Sequence, residues 1–283
     1  MIAKDLYNHL EQDFRLSICD DDWSEMQMSS YITEQYQQRY MGLVTDNSDK
    51  IDYVYTAVFP SAEVIGKIIS DNRKNVLLFL HHPMDFDINR MPVFTDIPLK
   101  TLKTFKERNI SIYNLHAPLD ANGKFSTTCN FAAALGIEMT GEFYKYHKVK
   151  IGVIGKTSYK IIGELQKRFE NAVGHSVKLY QYGDATINGD KVALVAGGGN
   201  DANIYPFLRD MGINTYLTGI ARKVEAYPPS VEAHSAAKEC EINIIAGTHY
   251  STEKFACIKM VEFFAQFGVP GEFVPGIPCM EDI

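Results

Sequence analysis

Histidine follows a strand-like apolar run at three places in this chain, which is a position from which imidazole can bind metal. The runs cover residues 76–80, 110–115 and 242–246, and the histidines that follow them are His81, His82, His116 and His249. In open α/β sheets, ligands bind where strands end and loops begin. We therefore expect these imidazoles to line a ligand site at the ends of buried strands.

A carboxylate accompanies two of these histidines. Asp120 follows His116 by four residues, and Glu253 follows His249 by four residues. Imidazole and carboxylate together suit borderline divalent ions such as zinc, iron and manganese. A carboxylate that bridges two such ions holds them ~3.5–4 Å apart, and a bridging water becomes a hydroxide nucleophile near neutral pH. The pattern therefore predicts two divalent ions and hydrolysis, with Asp120 and Glu253 as catalytic carboxylates. The candidate metal ligands are His81, His82, His116, Asp120, His249 and Glu253.

Each segment also has an interpretation without metal. At the third segment, Thr248 or Ser251 can cap a helix, with Glu253 in a capping box. At the second segment, Pro118 argues against a regular helix. We expect a loop there, and residues 120–123 have the composition of an ordinary turn. At the first segment, one histidine can be a core residue and the other a surface residue. The metal interpretation is favoured because the arrangement recurs three times.

Two further features are candidates for binding an anionic substrate. The glycine-rich segment 196–200 follows a strand and precedes a helix, so its N–H groups can cradle a phosphate at a helix N-terminus. A positively charged side chain that follows another strand end can bind the same anion. The residues concerned are Gly197, Gly198, Gly199 and Arg222. The alternatives are an ordinary glycine turn and a solvated charge. His147 and His175 lie outside the strand-end pattern and are expected at the surface.

Strand-like and helix-like segments alternate for most of the chain. This alternation predicts three-layer α/β architecture with mainly parallel sheets. Helices are expected over residues 158–172, 201–211 and 252–267, among others. The first and third histidine segments are far apart in sequence but should share one site. We therefore predict a discontinuous outer domain of residues 1–125 and 240–283, with a second α/β domain, residues 126–239, inserted into it.

Composition excludes several classes of protein. The net charge is -7 and no block of Lys or Arg is present, so nucleic-acid binding is disfavoured. No apolar run approaches the ~20 residues that cross a bilayer. The five cysteines are scattered without a Cys-x-x-Cys pair. This pattern argues against a disulfide framework and a thiolate zinc site, and it favours a cytoplasmic location.

Five segments resemble one known family, the NGG-interacting-factor-three-like proteins. These proteins are also known as GTP cyclohydrolase 1 type 2 homologues or dinuclear metal centre hexameric proteins. The segments are Leu80-His81-His82-Pro83, His116-Ala117-Pro118-Leu119-Asp120, Ala196-Gly197-Gly198-Gly199, Tyr216-Leu217-Thr218-Gly219 and Gly247-Thr248-His249-Tyr250-Ser251-Thr252-Glu253. They occur in the family's order and cover roughly residues 40 to 268.

The resemblance implies that the six candidate ligands match the family's metal ligands. It also implies two intertwined three-layer α/β/α domains and a toroidal homohexamer, a trimer of dimers, whose metal sites face an internal cavity. After Thr218-Gly219 the family usually carries Glu and then histidines, whereas this chain continues with Ile220-Ala221-Arg222-Lys223. This departure implies an altered lining on the substrate side.

We expect a metal-dependent hydrolase that acts on a small-molecule substrate. The reaction is either similar to that of a type 2 GTP cyclohydrolase or the hydrolysis of a phosphoester or amide. The alternative is a non-catalytic metal-binding ring that serves as a regulatory scaffold or protein partner.

Overall fold

Helices and strands alternate along the computed structural model, which describes residues 1–283. The strands are β1 (Gly42–Thr45), β2 (Tyr53–Ala57), β3 (Val76–Leu80), β4 (Asp85–Phe86), β5 (Phe94–Thr95), β6 (Ile110–Asn114), β7 (Glu138–Tyr146), β8 (Val149–Lys156), β9 (Lys178–Tyr180), β10 (Lys191–Val195), β11 (Thr215–Thr218), β12 (Asn243–Ala246) and β13 (Gly271–Phe273). The helices are α1 (Ala3–Asp13), α2 (Glu34–Arg39), α3 (Ala62–Asp71), α4 (Leu99–Glu107), α5 (Ala117–Asp120), α6 (Thr127–Leu135), α7 (Ile162–Val173), α8 (Ile204–Asp210), α9 (Pro228–Glu239) and α10 (His249–Ala265). The α/β class predicted from the sequence is confirmed. No helix combines the length and apolar character needed to span a membrane.

The chain forms two units, each with one large sheet, and the first unit also contains a two-stranded antiparallel sheet of β4 and β5. The first unit contains Met1–Ala121, Tyr146–Val149 and Ala256–Ile277. The second unit contains Asn122–Lys145, Lys150–Phe255 and Pro278–Ile283.

The sheet of the first unit has five strands in the order β1-β6-β3-β2-β13. Strands β6, β3, β2 and β13 are parallel, and β1 is antiparallel to β6. The ladder continues past the end of β3, because the His81 and His82 N–H groups donate to Ala57 O and Val58 O at 3.1 and 2.9 Å. Backbone hydrogen bonds therefore fix both histidines at the sheet edge.

Helices cover both faces of this sheet. On one face, Leu78 and Leu80 pack in a core that includes Ile68 of α3 and Phe105 of α4. On the other face, Phe79 meets Phe264 of α10 with ring centroids 5.6 Å apart. Because side chains of a strand alternate between faces, a fully apolar strand such as β3 fits this doubly covered sheet.

The sheet of the second unit has six strands in the order β7-β8-β10-β11-β12-β9. Its centre, β10-β11-β12, is parallel, but β8 and β9 pair antiparallel with β10 and β12. Most strand pairs of the first sheet are therefore parallel, whereas in the second sheet only the central strands pair in parallel. Helices α6 and α7 supply the apolar side chains on one face, including Phe131 and Phe169.

The second unit is larger than the inserted domain of residues 126–239 predicted from the sequence. It extends to residue 255, so β12 and the start of α10 belong to it rather than to the predicted outer segment 240–283. The reason is strand pairing, because β12 lies between β11 and β9 in the second sheet.

Three helices begin at other residues than the sequence predicts, and the first of them, α7, begins at Ile162 rather than 158. Helix α8 begins at Ile204 rather than 201, because Asp201 Oδ1 accepts the Asn203 N–H at 2.8 Å in a turn. Helix α10 begins at His249 rather than 252, because Thr248 Oγ1 caps it by accepting the Ser251 N–H at 3.1 Å. The earlier start places both His249 and Glu253 within the helix.

Candidate metal centre

His81 and His82 are both buried at the end of β3, with 0% and 2% of their surfaces exposed. The alternative that one of them is a surface residue is therefore wrong. His81 Nδ1 lies 2.9 Å from Leu115 O. A carbonyl oxygen can only accept, so Nδ1 carries the proton and Nε2 is the nitrogen that can bind a cation.

His116 directly precedes a single helical turn, α5, and Asp120 is the last residue of that turn, where the sequence predicts a loop. Pro118 is tolerated because it occupies the start of the helix, where its missing N–H would have no intrahelical partner. Asp120 Oδ1 lies 3.5 Å from His81 Nε2, and Asp120 Oδ2 lies 3.7 Å from His116 Nε2. The carboxylate thus presents one oxygen to each of two imidazoles.

Three imidazoles converge in the first unit. One ligand nitrogen from each of His81, His82 and His116 lies within 4.8 Å of the others, and all three side chains are buried. Neutral imidazole with carboxylate is the donor chemistry of borderline divalent ions. These residues therefore fit a metal ion and can hold one.

Asp21 orients His116, and sequence reasoning missed it. Its carboxylate oxygens lie 3.0 and 3.1 Å from His116 Nδ1, and Oδ2 accepts the Ala117 N–H at 3.0 Å. Burial alone would raise the pKa of Asp21, but His116 and the Ala117 N–H outweigh it and hold that pKa below its usual range. Burial likewise opposes charge on His116, but Asp21 outweighs it and raises the pKa of the imidazole. The only sequence signal was the acidic run at residues 20–22.

Aromatic rings pack against His82, the third histidine of this group. The ring of Phe59 stacks on His82 with centroids 4.5 Å apart. Trp23 meets His82 and His116 edge-on at 5.7 and 5.1 Å. Because these rings restrict rotation, His82 and His116 keep one orientation.

The second unit holds the other candidate ligands. His249 Nε2 lies 3.2 Å from Glu253 Oε1, one turn along α10, and both residues are buried. The capping interpretation is correct for Thr248, but Glu253 faces the His249 imidazole instead of completing a capping box. The His249 N–H donates to Asp282 Oδ2 at 2.9 Å, a contact that the sequence did not predict.

Gly197 lies against this pair. A Cβ at Gly197 would meet Glu253 Oε1, and its φ of +70° is in the left-handed region. Its N–H donates to Thr252 Oγ1 at 2.9 Å, so that N–H is already used within the chain. Because α8 begins only at Ile204, the glycines do not adjoin a helix N-terminus as expected. Phosphate binding by Gly198 and Gly199 stays a prediction.

Arg222 and the two histidines that were expected at the surface all contact other parts of the chain. The Arg222 guanidinium is near Glu281 O, at 3.4 Å, and its substrate role stays a prediction. His147 is partly buried beside Asp20, with Nδ1 3.5 Å from Oδ1. His175 Nε2 accepts from or donates to Ser251 Oγ at 2.6 Å. The two histidines are therefore in contact with structured parts of the chain.

Comparison with known proteins identifies relatives across most of the chain. A family model described as Duf34/NIF3 (NGG1p interacting factor 3) matches residues 26–274. A protein of Borreliella burgdorferi named GTP cyclohydrolase 1 type 2 homolog is 24% identical over 227 residues, 79% of this chain and 81% of that protein. One of the same name from Archaeoglobus fulgidus is 27% identical over 226 residues, 78% of this chain and 82% of that protein.

The fold has solved counterparts. The structure of protein ybgI, whose function is described as unknown, superposes with a TM-score of 0.75 at 19% identity, covering 99% of this chain and 100% of that one. Because the family model spans well over half of the sequence, the chain belongs to the Duf34/NIF3 (NGG1p interacting factor 3) family.

Proposed function

We propose that this protein binds two divalent metal ions through six residues and uses them for hydrolysis. The observation that carries the proposal is the buried group of three imidazoles, His81, His82 and His116. The remaining ligands in the proposal are Asp120, His249 and Glu253. Zinc, iron and manganese are the ions that this donor set suits.

The two units support the proposal separately. In the first unit, hydrogen bonds at Nδ1 direct the Nε2 atoms of His81 and His116 toward the Asp120 carboxylate. In the second unit, His249 Nε2 and Glu253 Oε1 face each other on one turn of helix.

Divalent ions in such a site supply an activated water at neutral pH and polarise a carbonyl or phosphoryl oxygen. The chain's own residues provide the rest of the chemistry. Asp120 and Glu253 orient the ions and accept a proton at a carboxylate oxygen. Phe59 and Trp23 keep bulk water from the His82 imidazole.

The names of the relatives guide the choice of reaction. Proteins of Borreliella burgdorferi and Archaeoglobus fulgidus are named GTP cyclohydrolase 1 type 2 homolog. We therefore place hydrolysis of GTP first among the reactions to test, followed by phosphoester and amide hydrolysis.

Metal analysis followed by a hydrolase screen tests the proposal. Protein made without chelators and reconstituted with zinc, iron or manganese should contain close to two equivalents of metal per chain. The double change His81→Ala, His82→Ala should remove at least one equivalent. Unchanged metal content in this variant would show that the pair is not a ligand pair. A loaded protein that hydrolyses neither GTP nor phosphoesters nor amides would favour the non-catalytic scaffold instead.

A further inference from the structure

Residues 278–283 pack within the second unit beside the loop that follows β11. The carbonyl of Asp282 accepts two N–H groups, from Ala221 and Arg222, each at 3.0 Å. The Arg222 guanidinium adds a bond to Glu281 O at 3.4 Å. These bonds hold the single turn Met280–Asp282 in place.

This anchoring places the Asp282 carboxylate at the first turn of α10. Its Oδ2 accepts the His249 N–H at 2.9 Å, and only 1% of the residue is exposed. The first N–H groups of a helix have no acceptor within the helix, so the carboxylate supplies a missing partner. It also lies at the end of the helix where a negative charge is favoured.

Through this hydrogen bond, Asp282 contacts the turn of α10 that carries both His249 and Glu253, whose Nε2 and Oε1 atoms lie 3.2 Å apart. Asp282 lies outside residues 26–274, which match the family model, so the match does not account for it.

We propose that Asp282 is a positioning residue that fixes the backbone of His249 through this buried hydrogen bond and so holds the His249–Glu253 pair in an arrangement that binds a cation. This inference rests on the proposed function, because it requires metal at His249 and Glu253. Groups that orient metal ligands from behind typically contribute 10–100-fold in affinity.

Two substitutions separate hydrogen bonding from charge. Asp282→Asn keeps an acceptor oxygen for the His249 N–H and removes the charge, whereas Asp282→Ala removes both. Glu281→Gln is the matched control, because Glu281 is the exposed neighbour and loses one charge from the same segment. Each variant is titrated with Co²⁺, and its visible absorption is recorded because that spectrum reports the ligand geometry. The His249→Ala spectrum supplies the reference without this ligand.

We expect the Kd for Co²⁺ to rise about 10–100-fold in Asp282→Ala, with a spectrum shifted toward that of His249→Ala. The Kd for Co²⁺ should rise less in Asp282→Asn, and in Glu281→Gln it should equal that of the wild type. Wild-type affinity and spectrum in Asp282→Ala would overturn the inference. If that variant does not fold, the same result in Asp282→Ser, whose shorter side chain does not reach the His249 N–H, would overturn it. A wild-type protein that binds no Co²⁺ would instead refute the proposed function, so the two failures are distinguishable.

Discussion

At the scale of single residues, the partner of each Nδ1 atom decides which imidazole nitrogen can bind metal. Leu115 O fixes the tautomer of His81, and the Asp21 carboxylate does the same for His116. The two acceptors differ, because a carboxylate also makes the imidazole more basic and a better ligand. The geometry of the first unit thus depends on a residue 95 positions from the histidine it orients.

Asp21→Asn should weaken metal binding without unfolding the protein. The amide can still accept from the Ala117 N–H, but it loses the charge that favours the Nδ1–H tautomer of His116. We expect metal affinity to fall about 10–100-fold, as for other partners of ligating histidines. Equilibrium dialysis with zinc measures this. Asp22→Asn is the control, because Asp22 is the exposed neighbour. Equal affinity in both variants would show that Asp21 has only a structural role.

Glu253→Gln should reduce metal binding much more than it reduces the stability of the fold. Glu253 lies one turn after the first residue of α10, so loss of its charge costs at most ~0.5–1 kcal/mol of helix-dipole stabilisation. If the same carboxylate is a metal ligand beside His249, its loss reduces the affinity for the cation far more than it reduces the stability of the helix. The expected result is a large loss of metal with little change in the melting temperature of the metal-free protein. A variant that unfolds while metal-free wild type stays folded would favour a structural role.

The ligand types could be predicted from the sequence because the chemistry is local. A histidine directly after a buried strand lies at a sheet edge, and a carboxylate four residues on lies nearby in a helical turn. Asp21 and Asp282 could not be found this way. Each approaches its histidine through tertiary packing, and no spacing in the sequence relates 21 to 116 or 282 to 249.

At the scale of elements, the loop between β10 and α8 shapes the second ligand pair. Gly197 approaches Glu253 so closely that no side chain fits between them, and its N–H holds Thr252 of the same helix. The glycine run therefore supports α10 from the side of the carboxylate. This role follows from close packing and does not require a phosphate.

Gly197→Ala should disturb the His249–Glu253 pair, and Gly198→Ala should not. The first substitution puts a Cβ on Glu253 Oε1 and forces φ = +70° on alanine, which costs about 1–2 kcal/mol. At Gly198 the nearest atom to an added Cβ is Ile220 Cδ1 at 3.9 Å, an ordinary contact. We expect lower metal content and a lower melting temperature for Gly197→Ala alone. Identical behaviour of the two variants would show that the close approach has no consequence.

Elements with strong apolar runs were predictable, and weakly patterned ones were not. Strands β3, β6 and β12 are buried along their whole length, and their sequences are largely apolar, with Ser111, Asn114 and Asn243 as the polar exceptions. Strand β7 is nine residues long but mostly exposed, and its sequence carried no such signal. The sequence predicts a loop in place of α5, because proline interrupts the interior of a helix. Pro118 lies in the first turn, where proline is acceptable.

At the scale of the whole molecule, the chain visits each unit more than once. The first sheet takes its last strand, β13, from residues 271–273, and the second unit regains residues 278–283 after that. The sequence predicted such discontinuity from the wide separation of the histidine segments. The second unit continues past residue 239, the predicted end of the inserted domain, because β12 pairs with β11 and β9, which are distant in sequence.

The proposed ring assembly is the largest-scale prediction. Both units expose apolar side chains, among them Leu99 in the first and Phe207 in the second. Aromatic and apolar residues are enriched at subunit contacts. Twofold and threefold contacts together close a ring and leave no open-ended surface. We therefore expect a homohexamer, whose central chamber would restrict which substrates reach the metals.

Sedimentation equilibrium over a range of concentrations measures the assembly directly. The expected mass is six times 31.9 kDa, independent of metal loading if the contacts lie away from the ligands. The same measurement on the His81→Ala, His82→Ala protein separates assembly from metal binding. A mass that falls with the loss of metal would place the ligands at subunit contacts. A stable monomer at micromolar concentration would remove the chamber, and selection of substrates would then depend on the residues lining the site alone.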